Sequence, residues 1–216
     1  MTAPEIIGSI RSTYTHAIRL VCEEKGIDYT LTERPLRAPE VYAIHPFGKM
    51  PVLRHGDFEL FESKAIATYL DRSFPAPYLF PADLRLAALT EQWISVVNTL
   101  IDHTLIRTYL FAYIAPKTAD GTPDRAAIDA VMPALRAQID VLDRAVAPTG
   151  YLVGDHLTFA DLNLLPILHR VQQAPEGASA LADAPHLARY YAQHTARPSF
   201  RRTMPPAGPP RRSSTS

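Results

Sequence analysis

The spacing of apolar residues changes character about a third of the way along the chain. Up to residue 75, short apolar runs and helical patterns take turns. PEIIG (4–8) is a strand-sized run. Residues 14–25 place Tyr14, Ala17, Ile18 and Val21 at helical spacing, which gives one apolar face. DYTLTER (28–34) alternates as a half-buried strand does, and APEVYAIHP (38–46) has room for one or two helical turns. PVLRHGDFELFE (51–62) reads as two short strands around Gly56-Asp57, a hairpin. ESKAIATYLDRSF (62–74) sets Ile66, Tyr69 and Leu70 on one side of a helix. The predicted order βαβαββα over residues 1–75 makes an α+β unit, a small sheet with helices packed on it.

RSFPAPYLFPAD (72–83), with three prolines, reads as a linker. Strand signals vanish beyond it. LRLAALTEQWISVVNTLIDHTLIRTYLFAYIA (84–115) is one long helical pattern that ends before Pro116. TPDRAAIDAVMPALRAQIDVLDRAVA (122–147) is expected to start with Thr122 as the cap and Pro123 in the first turn, with a kink at Pro133. TFADLNLLPILHRV (158–171) opens on Thr158-x-x-Asp161, an acidic capping box. APHLARYYAQHTARPSF (184–200) holds one or two further helices. An all-α unit over 84–203 follows, and the Pro- and Ser-rich tail 204–216 is expected to be disordered.

Composition narrows the function classes. Lys plus Arg and Asp plus Glu balance at 22 each, so charge points to neither nucleic acid nor an anionic membrane. No stretch of ~18 apolar residues suggests a membrane span, and MTAPEIIGSIR lacks the basic-then-apolar form of a signal peptide. The eight histidines show no metal-ligand spacing, so no metal is expected. A single cysteine, Cys22, fits a reducing compartment, and the cytoplasm is the expected location. At its helical spacing Cys22 reads as a buried structural thiol.

The chemistry concentrates in GSIRSTYTHAIRLVCEEKG (8–26), where a hydroxyl-rich loop runs straight into a helix. A helix N-terminus offers unpaired N–H groups and the positive end of the macrodipole, both favourable to an anion. Lowering a thiol from its usual pKa of about 8.5 to near neutrality takes roughly one to two units. A hydroxyl donating to the thiolate supplies ~1.5–3 kcal/mol and the helix end ~0.3–1 kcal/mol, enough without a general base. Ser12 can serve as such a donor, and it or Thr13 can equally cap the helix. Tyr14 is the rival hydroxyl, although it shares a face with Ala17, Ile18 and Val21. Acidic Glu62 and small Ser63 also suit a first helical turn in their own right.

Five segments, in order, carry a resemblance: EEKGIDYT (23–30), HPFGKMPVL (45–53), FELFESKAIATYLD (58–71), YLVGDHLTFADLNLLP (151–166) and ARPSF (196–200). Over about residues 5–203 the chain resembles the cytosolic glutathione S-transferases, and its opening loop most resembles the serine-type, phi-like members. The resemblance implies a thioredoxin-like N-terminal domain, an all-α C-terminal domain and a homodimer. It implies glutathione as co-substrate and a small hydrophobic electrophile in the interdomain cleft. Ser12 then stabilises the glutathione thiolate, while a cis Met50-Pro51 bond turns the Met50 backbone toward the tripeptide. Glu62 and Ser63 hold the γ-glutamyl end, and Arg37 and Lys49 meet the glycyl carboxylate. Leu36 stands where the phi pattern has a histidine. Arg11, Tyr14, Trp93, Tyr109 and Tyr113 are the candidates for the electrophile pocket. The same thiolate chemistry would serve a glutathione-dependent isomerase, dehalogenase or peroxidase, and a different class altogether is a non-catalytic binding module on this fold.

Overall fold

The computed structural model describes residues 2–115, 118 and 121–205. The predicted tail falls on residues 204–216, of which 206–216 lie outside the described residues.

The N-terminal part runs β1 (Glu5–Gly8), α1 (Thr13–Lys25), β2 (Thr30–Glu33), α2 (Pro39–Tyr42), β3 (Val52–His55), β4 (Phe58–Phe61) and α3 (Ser63–Ser73). The sheet order is β2-β1-β3-β4, with β1 parallel to β2 and both other pairings antiparallel. Ile6 stands opposite Leu31 on one side and Leu53 on the other. Strand alternation sends Ile6 and Ile7 to opposite faces. Ile6 joins Ala17, Ile18, Val21, Ile66 and Leu70, all fully buried, whereas Ile7 joins Ala38, Val41 and Val52. The central strand is therefore covered on both sides, and this fixes the register of the loops at its ends. Cys22 is buried among these apolar side chains, and burial pushes its thiol well above the usual value.

The connection to the helical part is tied down at one point. Lys25 Nζ donates to Asp71 Oδ1 at 3.1 Å and to the Pro75 and Pro77 carbonyls at 2.9 and 2.8 Å. Asp71 Oδ1 also accepts from the Leu79 amide at 2.8 Å. One buried ion pair thus holds the end of α1, the end of α3 and the proline-rich segment together.

The helical part comprises α4 (Leu84–Val96), a π-helical segment (Val97–Leu110), α5 (Phe111–Ile114), α6 (Arg125–Val146), α7 (Phe159–Val171), α8 (Pro175–Ala182), α9 (Pro185–Thr195) and α10 (Pro198–Thr203). Apart from His169, α7 is buried along its whole length, as expected of a helix apolar on every side, and it packs on α1, α4 and the π segment. The capping box forms: Asp161 Oδ2 takes the Thr158 amide at 2.9 Å, and its Oδ1 takes that of Leu152 at 2.9 Å.

Two readings of the sequence differ from the structure, and one helix falls where none was read. The helix α6 starts at Arg125, and its cap is Asp124, which accepts from the Ala127 amide at 3.0 Å, in place of Thr122. Carboxylate and hydroxyl cap equally well, so the signal was shared between neighbouring residues. PEGASALA forms α8, although its small residues give no strong stripe. The long pattern after the linker is α-helical only to Val96, and then widens to i→i+5 winding.

Candidate functional site

Ser12 is the N-cap of α1. Its backbone is extended (φ −75°, ψ 129°) and its Oγ accepts from the Thr15 amide at 3.2 Å. Its own amide donates to the Ser9 carbonyl at 3.0 Å, which closes the loop. A hydroxyl has two acceptor sites and one proton. Among the described residues nothing receives that proton, and the residue is half-buried. Ser12 therefore caps the helix and still holds a donor.

Tyr14, two residues on, is differently placed. Burial first, and then the negative charge of Asp102, raise its phenol well above the usual value. Asp102 lies in the π segment, is 4% exposed, and accepts from Arg107 Nε at 2.9 Å through Oδ2. Its Oδ1 is buried with no hydrogen-bond partner among the described residues, and its carboxylate acts on the Tyr14 phenol both through charge and as a nearby acceptor. Asp102 and Arg107 are five residues apart, neighbours in π winding. Asp102 was not singled out from the sequence. Its signal, an acid in an otherwise apolar stretch, becomes readable only once the winding is known.

The start of α3 is a second helix end, this one without a side-chain cap. Glu62 is its N-cap in a left-handed conformation (φ 69°, ψ 116°), unusual for a residue with a side chain and costing about 1–3 kcal/mol. Its carboxylate makes no capping bond and is 67% exposed. The amides of the first turn, Ser63 among them, thus have no side-chain cap, and Ser63 itself is buried. Glu62 also contributes, as the smallest of several causes, to the field at Tyr14 near the start of α1.

The loop between α2 and β3 completes this side. Met50-Pro51 is cis, and Met50 is half-buried just before β3. Arg37 and Lys49 are exposed cations with no carboxylate at ion-pair distance among the described residues, and Arg37 is also left-handed (φ 65°). His45, which the sequence offered only as part of a motif, is buried within this loop.

The proposed electrophile-pocket residues divide. Arg11 flanks Ser12 and acts on Arg170 near the end of α7, a buried guanidinium lowered by burial and by the Arg11 charge. Tyr109 and Tyr113 are otherwise engaged: both hydroxyls donate to Glu176 Oε2, and Arg125 Nη2 donates to Glu176 Oε1 at 2.6 Å. These contacts hold Glu176 at about 2, and Tyr109 also accepts from the Gly177 amide at 2.8 Å. The two tyrosines therefore bind α8 to the π segment and α5. Trp93 is partly buried against the core. The described residues hold no cluster of three or more His, Cys, Asp or Glu able to bind a metal ion, and no helix long and apolar enough to cross a membrane.

The same architecture recurs in known proteins. Models of the glutathione S-transferase N-terminal and C-terminal domains match residues 11–73 and 125–193. Glutathione S-transferase 4 of Zea mays is 31% identical over 91% of this chain and 90% of its own. Glutathione S-transferase 3 of the same plant is 32% identical over 91% and 92%. Among solved structures, glutathione S-transferase III in its apo form superposes with a TM-score of 0.83 at 29% identity, covering 97% of this chain and 100% of that one. Glutathione S-transferase I from maize, in complex with an atrazine glutathione conjugate, gives 0.84 at 28% identity, covering 94% and 96%. The chain belongs to the glutathione S-transferase family.

Proposed function

We propose that this glutathione transferase holds the thiolate of glutathione at the N-terminus of α1, with the Ser12 hydroxyl as donor, for attack on a small hydrophobic electrophile. The observation that carries this reading is the Ser12 proton, uncommitted among the described residues, at a helix end whose dipole favours negative charge. Tyr14 is the weaker donor, because its phenol faces the Asp102 carboxylate. The γ-glutamyl carboxylate meets the uncapped amides of α3, and its ammonium meets Glu62. Met50 presents its backbone to the peptide, and Arg37 and Lys49 meet the glycyl carboxylate.

The reaction then needs little more than position and charge. The thiol proton leaves to solvent as glutathione binds. The sulfur lone pair forms a C–S bond to the electrophilic carbon, and the leaving group departs with its bonding pair. Lowering the thiol pKa raises the reactive fraction at neutral pH, and the cleft fixes the approach. The structure of glutathione S-transferase I with an atrazine conjugate supports an apolar acceptor. The reading also carries a homodimer in the cytoplasm. Phe47 and Tyr78, 73% and 62% exposed, offer apolar surface to a second copy.

Calorimetric titration with glutathione, followed by conjugation of a neutral aryl chloride, tests the proposal. Saturable binding with chloride release supports it. Binding without conjugation favours a module that only binds, and no binding removes the reading.

A further inference from the structure

The His45 imidazole is 2% exposed, with a hydrogen-bond partner at Nδ1 and a carboxylate neighbour beside Nε2. Nδ1 accepts from the Phe47 amide at 3.1 Å. A neutral ring that accepts at Nδ1 carries its proton on Nε2. Nε2 lies 3.5 Å from Glu62 Oε1. The ring is fixed between Phe61 and Phe47, with centroids 4.7 and 6.0 Å away. The His45 backbone is held as well, its amide on the Val41 carbonyl at 2.7 Å and its carbonyl on the Gly48 amide at 2.9 Å. One buried side chain therefore connects the loop that delivers Lys49 and Met50 to the left-handed residue that opens α3.

We infer that His45 is a positioning residue: its Nε2–H orients the Glu62 carboxylate so that one oxygen is fixed and the other faces the ligand's ammonium group. This rests on the reading that Glu62 meets the γ-glutamyl ammonium of glutathione. The exposed Glu62 side chain has, among the described residues, His45 as its ion-pair-distance contact. Without it the carboxylate is free to swing into solvent. The effect is specific to the ammonium, because the thiolate and the glycyl carboxylate are met by other elements.

The two ring nitrogens allow a separation by substitution. His45→Asn places its amide oxygen near the Nδ1 position, keeping the acceptor for Phe47 and losing the contact to Glu62. His45→Gln extends an N–H toward the Nε2 position and loses the Phe47 bond. His45→Phe keeps the ring packing with neither. Calorimetric affinities are measured for glutathione and for N-acetylglutathione, in which the ammonium is absent. Wild type binds glutathione the more tightly. In His45→Asn and His45→Phe that preference falls about fivefold or more, and in His45→Gln most of it survives. In a Glu62→Gln background His45→Asn changes the preference no further. An unchanged preference in both His45→Asn and His45→Phe, or an equal loss of both ligands, overturns the inference and leaves the site reading intact. If wild type binds neither ligand, the site reading fails and the inference with it.

Discussion

Ser12 Oγ accepts the Thr15 amide proton at 3.2 Å while keeping its own proton unshared among the described residues. Capping and thiolate binding are therefore separable by substitution. Ser12→Ala removes both and lowers stability by about 0.5–2 kcal/mol. It also slows conjugation by roughly tenfold to a hundredfold, the worth of a hydrogen bond to a charged group. Ser12→Asp keeps a good cap but puts a like charge beside the sulfur. It should melt close to wild type and conjugate no better than Ser12→Ala. Melting curves and kcat/KM on the same three proteins check this.

Tyr14→Phe removes the rival hydroxyl. Because the phenol faces Asp102, its loss should leave kcat/KM within about threefold of wild type, far less than the loss in Ser12→Ala. A decrease matching that of Ser12→Ala would transfer the thiolate to the phenol.

The pair formed by Lys25 and Asp71 is the account's main claim about stability. The two side chains are 0% and 3% exposed, and Asp71 also holds the Leu79 amide. Asp71→Ala leaves a buried ammonium with only carbonyl partners, and such a break costs about 3–5 kcal/mol. Urea unfolding should show a lower midpoint with an unchanged slope. Because the pair holds the segment after α3, proteolysis near residues 75–79 should also become faster.

His16 supplies a pH dependence. Its Nε2 lies 2.9 Å from Thr203 Oγ1, binding α1 to α10, and burial followed by the Arg19 charge brings its pKa down to about 3. The unfolded chain protonates His16 near 6.5, so between pH 6.5 and 3 the unfolded state binds the extra proton. Stability from this group is complete above 6.5 and is lost as pH falls through that window. The slope it contributes is at most about 1.4 kcal/mol per unit. His16→Gln should flatten the denaturation midpoint against pH between 6.5 and 3.5. An unaltered slope would assign the acid sensitivity to other groups.

Much of this was legible in the chain because local and tertiary signals agreed. Ile6 and Ile7, two apolar neighbours, announced a strand, and the structure covers it on both faces. Tyr14, Ala17, Ile18 and Val21 announced α1, and Thr158 with Asp161 announced α7. The candidate site was legible where it depends on chain direction: Ser12 at one helix start, Glu62 and Ser63 at another. What stayed hidden depends on winding and on contacts between distant segments. Asp102 meets Arg107 only because the segment between them is π-helical. Tyr109 and Tyr113, suited by type to a pocket wall, are committed to Glu176 across more than sixty residues of chain. His45 lies 3.5 Å from a Glu62 whose backbone is left-handed, an arrangement that composition does not announce.

The central claim is a deprotonated sulfur beside Ser12, and thiolate absorption at about 240 nm reads it directly. Glutathione added to the wild-type protein at about pH 6.5 should produce that band, with an apparent pKa one to two units below free glutathione. Ser12→Ala should bind glutathione yet show the band only at roughly one to two units higher pH. A wild-type complex with no band at that pH, or a band equally strong in Ser12→Ala, would contradict the account.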